Sequence, residues 1–205
     1  MEWMLRGDLK PGDYINGLKL ARQFEVSTSA IREYLNRFAR FGLVEKRANS
    51  GWTFRGFTTE FALELFEVRE LFEILSAKTF GKQAPDSPAW LNLKAIEVEH
   101  RELLKNIKTR YHDFSDLDER FHRLINNASK NRFVADFYGI ISLIFHYHYQ
   151  WRKVGEKERN VVALREHLEY IEALFTRNPE RIEAASRRHL KSARIRCWRP
   201  SRDGD

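Results

Sequence analysis

Residues 9–54 read LKPGDYINGLKLARQFEVSTSAIREYLNRFARFGLVEKRANSGWTF. The first helix signal is GLKLARQF, in which Leu18, Ala21 and Phe24 lie three residues apart and so predict one apolar face. Ser27 is a favourable N-cap for a second helix. The apolar face of that second helix contains Ile31, Leu35 and Phe38. The segment therefore predicts two short helices joined by a tight turn.

A hairpin signal follows the second helix. Gly42 stands where a capping glycine ends a helix, and residues 43–56 form two short extended stretches around Asn49 and Gly51. The order of helix, tight turn, helix and hairpin is that of a winged helix-turn-helix. We therefore assign residues 1–57 to a winged helix-turn-helix DNA-binding domain.

This arrangement predicts specific DNA contacts. Small polar residues begin the second helix, so its N-terminus can approach the major groove, where Arg32 can reach a guanine or a phosphate. Basic residues such as Lys46 can neutralise phosphates, and the hairpin tip can enter the minor groove. For single positions, a plain cap at Ser27 and a solvated Arg32 remain the alternatives. The predicted DNA-binding residues are Lys19, Ser27, Thr28, Ser29, Arg32, Arg47, Asn49 and Gly51.

The charge distribution agrees with a polyanionic partner. The chain of 205 residues has a net charge of +7, with +3 in residues 1–60, −1 in residues 61–180 and +5 in residues 181–205. A solvated basic helix at the C-terminal end is the alternative explanation. The single cysteine, Cys197, excludes an intrachain disulfide, and the first ten residues lack the apolar stretch of a signal peptide. We expect a cytoplasmic protein.

The remainder of the chain has helical spacing and no strand-like alternation. Residues 61–199 predict an antiparallel all-α bundle, so the fold class is mainly α. The longest apolar run, residues 133–145, is too short to span a bilayer. Predicted helices lie around residues 114–129, 132–151, 160–177 and 179–197, the last of them with Asn178 as its cap. Residues 200–205 are predicted to be a disordered tail.

Four residues on three of these helices form a candidate metal site. Asp118 and His122 lie four residues apart on one helix beside its apolar face, and His167 and His189 lie in the apolar stripes of two others. Burying such groups is unfavourable unless they are paired, and one divalent ion could satisfy all four. For each histidine alone, a hydrogen bond within the core is the alternative. Of the other histidines, His100 and His112 are expected to face solvent, and His146 and His148 are too close in sequence to face one site.

The N-terminal segment resembles the DNA-binding domain of GntR-type bacterial transcription regulators. It departs from their pattern at Gly17, Thr28, Ala30 and Ser50, and the missing arginine at position 28 predicts an altered operator sequence. The matching positions are Pro11, Gly12, Leu20, Ala21, Val26, Ser27, Arg32, Glu33, Leu35, Gly42, Leu43, Val44, Asn49 and Gly51.

The bundle resembles the ligand-binding domain of the FCD branch of these regulators. RELFE, DLDERFHRLINNASKN, the later EH and the final RRHL carry the resemblance. It implies that Asp118, His122, His167 and His189 are metal ligands, because metal-binding members use an aspartate and three histidines in this order. Arg69 and Glu73 match an RxxxE motif on the first helix of that domain. The donor set suits Zn²⁺, the first candidate, and also Ni²⁺, Co²⁺ or Mn²⁺.

These features predict a transcriptional regulator rather than an enzyme. We expect a homodimeric protein, in all expectation a repressor, that binds a palindromic operator in double-stranded DNA. Its effector would be a small carboxylate or sugar acid bound at the metal, with Arg69 or Arg152 pairing with its anionic group. The alternatives are a metal-dependent hydrolase or lyase, for which Glu73 is the only candidate base, and a DNA-binding protein with a purely structural metal.

Overall fold

The computed structural model describes residues 9–47, 51–56, 59–139, 141 and 155–197. The chain divides into two compact units between Ala62 and Leu63. Several predictions concern positions outside the described residues: Asn49, His146, His148, Arg152, the tail at 200–205 and most of the second half of the helix predicted at 132–151.

The first unit contains two helices and a three-stranded antiparallel sheet. In chain order the elements are β1 (Tyr14–Ile15), α1 (Gly17–Gln23), α2 (Thr28–Arg40), β2 (Val44–Arg47) and β3 (Gly51–Phe54). The sheet order is β1-β3-β2, and β2 and β3 pair as the predicted hairpin, with Val44 opposite Phe54. The winged helix-turn-helix is therefore confirmed.

The ends of α2 follow from its capping residues. Ser27 is the N-cap, and its Oγ accepts a hydrogen bond from the backbone N–H of Ala30 at 3.1 Å. After the helix, Gly42 has a φ of 73°, the left-handed conformation that a capping glycine adopts without strain. Both predicted signals are thus confirmed.

The face predicted for α1 is wrong in part. Leu20 and Ala21 are buried, whereas Leu18 and Phe24 are exposed. Positions 18 and 20 lie about 200° apart around a helix, so only one of the two leucines can face the core. Three-residue spacing in a helix this short does not decide which face is buried.

Strand β1 was not predicted from the sequence. Its two residues follow a proline-glycine turn, and this segment was interpreted as a turn alone. Ile15 is buried and pairs with Trp52 in β3, so the sheet gains a third strand through long-range pairing that a two-residue pattern cannot reveal.

The second unit is helical. Its elements are α3 (Thr59–Gly81), α4 (Pro88–Lys105), the short α5 (Ile107–Arg110), α6 (Phe114–Asn126), α7 (132–139), α8 (Glu156–Phe175) and α9 (Pro179–Cys197). Asn178 caps α9, because its Oδ1 accepts a hydrogen bond from the N–H of Arg181 at 2.8 Å. In the described part of the chain, no helix is long and apolar enough to cross a membrane.

One apolar core joins the helices of this unit. Residues of α3, α4, α6, α8 and α9 form it, among them Phe80, Leu93, Phe121, Leu164 and Ile182. The short connection between α8 and α9 makes these two helices antiparallel, as expected for a bundle. The core surrounds the side chains described next.

Candidate metal centre and nucleic-acid interface

Three buried imidazoles from three helices meet inside the second unit. His122 lies on α6, His167 on α8 and His189 on α9. One ring nitrogen of each lies within 4.8 Å of those of the other two, a grouping that could hold a metal ion. The Nε2 atoms of His122 and His189 are 3.2 Å apart.

Asp118 adds a carboxylate to this group. Its Oδ1 lies 3.4 Å from Nε2 of His167 and 3.7 Å from Nε2 of His122, one turn further along α6. Its side chain is 38% exposed, so the acid stands at the solvent-facing side of a cluster whose imidazoles are buried. The structure therefore brings together all four side chains that the sequence analysis proposed as ligands.

Aromatic packing holds the imidazoles in place. The ring of Phe121 lies 4.5 Å from that of His167, and Phe114 stacks on the same imidazole at 5.7 Å between centroids. Both phenylalanines are fully buried on α6, on the face that also carries His122. The apolar stripe of α6 thus places His122 and restricts the ring of His167.

Each imidazole uses its Nδ1 in a hydrogen bond that points away from the cluster centre. Nδ1 of His122 lies 2.8 Å from Oε2 of Glu73, and Nδ1 of His189 lies 3.3 Å from Oε2 of Glu166. A carboxylate can only accept, so both Nδ1 atoms carry the proton. The Nε2 atoms of the neutral rings therefore present lone pairs toward the centre of the cluster.

His100 fixes the third imidazole in the same way. Nδ1 of His100 donates to the carbonyl of Ile96 at 2.8 Å, which leaves its Nε2 to accept from Nδ1 of His167 at 2.9 Å. Burial lowers the pKa of His100 to about 4, against the opposing effect of the Ile96 hydrogen bond, so the ring is neutral at physiological pH. His167 consequently also directs an unprotonated Nε2 inward.

The prediction that His100 faces solvent is wrong, because its side chain is fully buried. On α4 it continues the stripe of Leu93, Ile96 and Leu103, spaced three and four residues apart. That stripe was the signal that could have found it. His112, by contrast, is exposed as predicted. Glu166 was also missed, because nothing in the helical periodicity distinguishes it from the other acidic residues of α8.

Arg69 and Glu73 form a buried ion pair behind His122. Nε of Arg69 donates to Oε1 of Glu73 at 2.6 Å. Burial alone would raise the pKa of the Glu73 carboxyl, but the charges and hydrogen bonds of Arg69 and His122 outweigh it and hold that pKa far below its usual value. Glu73 is therefore ionised and anchors His122 as an acceptor.

The predicted DNA-binding residues in the described part of the first unit are exposed, apart from the half-buried Gly51. Thr28 and Arg32 lie on one line along α2, which Asn36 and Arg40 continue at four-residue spacing. The sequence analysis missed the last two as possible contacts. Gly51 has a φ of 87°, and a side chain there would collide with Tyr14. The other exposed residues of the set are Lys19, Ser27, Ser29 and Arg47, with Lys46 beside them.

Two family models cover most of the chain. Residues 64–192 match the FCD domain, and residues 1–54 match the bacterial regulatory proteins of the gntR family. The chain is 38% identical over 186 residues to the HTH-type transcriptional regulator LgoR of Escherichia coli K12, covering 91% of this chain and 61% of that relative. It is 28% identical over 204 residues to the regulator LutR of Bacillus subtilis, covering 90% and 91% of the two chains.

Solved structures give the same fold. E. coli McbR/YncC matches with a TM-score of 0.69 at 16% identity, over 96% of this chain and 92% of its own. A structure described as the metal-free FCD domain of TM0439 matches with a TM-score of 0.58 at 25% identity, over 69% of this chain and 94% of its own.

These matches decide between the regulator and the enzyme predicted from the sequence. The relatives and both family models describe transcriptional regulators, and neither describes a hydrolase or a lyase. This chain belongs to the gntR family of bacterial regulatory proteins, in its FCD branch, and is a DNA-binding transcriptional regulator.

Proposed function

We propose that Asp118, His122, His167 and His189 bind a divalent metal ion, and that a small organic acid bound there controls the affinity for operator DNA. The observation that carries this proposal is the orientation of the three imidazoles. Each Nδ1 is taken by Glu73, His100 or Glu166, so three Nε2 lone pairs face one another.

The donor set fits such an ion. Two Nε2 lone pairs 3.2 Å apart repel unless a proton or a cation lies between them, and the hydrogen bonds at Nδ1 are the orienting contacts that metal-bound histidines generally make. Nitrogen and oxygen donors suit Zn²⁺, with Ni²⁺, Co²⁺ and Mn²⁺ as alternatives. When bound, the ion would supply coordination positions for an anionic oxygen of the effector.

Charge near the site favours an acidic effector. Arg69 is buried next to the cluster, and the attraction of Glu73, acting against burial, holds its pKa above the usual value, so its guanidinium is cationic. Because Arg69, Glu73 and His122 are linked in series, binding of an anion beside Arg69 would be felt at a metal ligand. We propose a small carboxylate or a sugar acid, contacted by Arg69 and by Arg152.

The first unit would carry the output. We propose that Arg32 and the N-terminal residues of α2 contact the major groove, while Lys19, Lys46, Arg47 and the hairpin contact the backbone and minor groove. A homodimer would present two recognition helices to a palindromic operator and, as a DNA-binding regulator of a bacterial cell, would act in the cytoplasm as a repressor.

The test is operator affinity in defined metal and acid states. Duplex DNA selected by the protein from a random pool is titrated with metal-loaded protein, with and without lactate, citrate, gluconate or hexanoate, and with chelator-treated protein. We expect one acid to change the affinity by about 5- to 150-fold in the loaded wild type. His189→Ala should lose that response and His112→Ala should keep it.

Two other results would reject the proposal. Equal affinity in all states, with metal bound, would support a purely structural metal. Conversion of an acid to product by the loaded protein would support a hydrolase or lyase.

A further inference from the structure

A second group of polar side chains is buried one helical turn from the imidazoles. We call Ser76, Asn126, Tyr170 and Ser186 the polar layer; their relative exposures are 0%, 4%, 0% and 0%. Within the described residues, four of their atoms have no hydrogen-bond partner: Ser76 Oγ, Asn126 Oδ1, Tyr170 Oη and Ser186 Oγ.

Sequence spacing ties each member to the metal site. Ser76 follows Glu73 by three residues, Tyr170 follows His167 by three, and Asn126 follows His122 by four. Ser186 precedes His189 by three. Residues three or four apart share a helix face, so each member lies directly above or below a residue of the metal site.

Helix directions put all four on the same side of the imidazoles. Ion pairs join Glu70 to Arg187 and Lys78 to Glu183, so α3 and α9 are antiparallel, and going forward from Glu73 is going backward from His189. Helix α8 is also antiparallel to α9.

Helix α6 runs in the direction of α8. Phe114 stacks on His167, and Phe121 lies 5.5 Å from Tyr170, one turn further along both helices. Asn126 therefore lies on the same side of the imidazoles as Tyr170. Its Nδ2 donates to the carbonyl of His122 at 2.8 Å, which leaves Oδ1 as its acceptor.

The polar layer is chemically suited to hydroxyl groups. It contains three hydroxyls and one amide oxygen and no charged side chain, so it offers both donors and acceptors without a cation for a second carboxylate. Burial raises the pKa of the Tyr170 phenol, and the nearby Glu73 carboxylate raises it further, so Tyr170 remains a donor. Buried groups of this kind are unfavourable without partners, whereas apolar side chains of similar shape would carry no such cost.

We propose that the polar layer binds the hydroxyl groups of the effector, which is therefore a polyhydroxylated acid rather than an aliphatic one. This inference rests on the proposed function, because the carboxylate of the same molecule is placed at the metal site. One helical turn, about 5.4 Å, separates the two groups of residues, and an acid of roughly four to six carbons spans that length.

The test compares matched acids by isothermal titration calorimetry with metal-loaded protein. The probes are the six-carbon aldonates gluconate, galactonate, mannonate and gulonate, and hexanoate as the analogue without hydroxyls. We expect at least one aldonate to bind about tenfold or more tightly than hexanoate. Tyr170→Phe and Ser186→Ala should each weaken that aldonate by roughly fivefold to tenfold. Tyr111→Phe, which removes a phenol hydroxyl outside the layer, should leave its affinity unchanged.

Thermal unfolding without any acid separates ligand binding from a structural role. Because the deleted hydroxyls have no partners in the folded protein, Tyr170→Phe and Ser186→Ala should keep or raise the Tm. A clear loss of Tm in both variants would mean that these hydroxyls stabilise the fold, and would overturn the inference.

The remaining outcomes are also decisive. Hexanoate binding as tightly as every aldonate, no binding of any acid, or unchanged aldonate affinity in both variants would overturn the role of the polar layer. Elemental analysis of the same samples shows whether the ion is bound. A loaded protein without the hydroxyl preference defeats only this inference, whereas a protein that takes up no ion defeats the proposed function.

Discussion

His100 is the residue that connects the core of the helical unit to the proposed metal site. Its imidazole accepts the Nδ1 proton of His167 and thereby directs the Nε2 of His167 to the cluster. It contributes no atom to the ligand set, so its effect on metal binding would be indirect.

Replacing this imidazole should weaken metal binding. His100→Leu removes the acceptor, leaves the buried Nδ1–H of His167 without its bond to His100, and frees the ring to turn. We expect the dissociation constant for Zn²⁺ to rise by about 10- to 100-fold, measured by competition with a chromophoric chelator. His112→Leu, at an exposed position, is the control. Equal affinities in the two variants would remove His100 from the account.

Arg69 gives a second prediction at this scale, one of stability. Arg69→Met leaves the Glu73 carboxylate buried without its guanidinium partner, and such a loss costs about 3–5 kcal/mol. The free energy of unfolding in urea, with a chelator present, measures it. Adding Glu73→Leu should restore a large part of the stability, because the uncompensated charge is gone. A single variant as stable as the wild type would show that the pair is solvated.

The sequence predicted the ligand set more completely than its surroundings. Asp118 and His122 stand at i and i+4 beside an apolar stripe, and His167 and His189 interrupt such stripes, so periodicity alone marks them. Glu166 and His100 could not be selected equally well. Their roles depend on which helices become neighbours, and spacing within one helix does not contain that information.

At the level of elements, α2 carries the proposed reading of DNA. Its buried face holds Ile31, Leu35 and Phe38, and its opposite face exposes Thr28 and Arg32. The same helix therefore separates a packing role from a recognition role.

A single exposed side chain tests that separation. Arg32→Ala should weaken operator binding by about 1–3 kcal/mol, because it removes a contact to a base or a phosphate. The thermal stability should stay unchanged, since Arg32 is exposed. Fluorescence anisotropy with labelled operator measures the affinity, and Arg165→Ala, exposed on α8, is the matched control. If both variants bind as the wild type does, Arg32 does not contact DNA.

The elements themselves were largely predictable where local signals exist. Ser27, Gly42 and Asn178 mark helix ends through their own hydrogen bonds or dihedral angles, which act over a few residues. Strand β1 and the buried face of α1 depend on pairing and packing with distant residues, and the local pattern was ambiguous there.

At the level of the whole molecule, the proposed homodimer needs a surface for a second copy. Helix α3 exposes Val68, Leu71 and Leu75 at helical spacing, and Phe133 and Phe137 of α7 are also exposed. Phe137 contacts Phe72 of α3, so the two helices form one apolar surface.

A charge on this surface should separate the copies. In a two-fold interface Leu71→Glu places the same negative charge on both partners, so we expect a dimer to become a monomer in sedimentation velocity experiments at micromolar concentration. Val162→Glu, at an exposed apolar position on α8, is the control. A Leu71→Glu variant that remains dimeric would place the interface elsewhere.

The metal content of the purified protein tests the central claim most directly. Elemental analysis of the wild type, His167→Ala, His189→Ala and the exposed control His112→Ala should give about one divalent ion per chain for the wild type and the control, and a large loss for the other two. Wild-type protein that binds its operator normally but takes up no stoichiometric ion, even after incubation with Zn²⁺, Ni²⁺, Co²⁺ or Mn²⁺, would contradict the account.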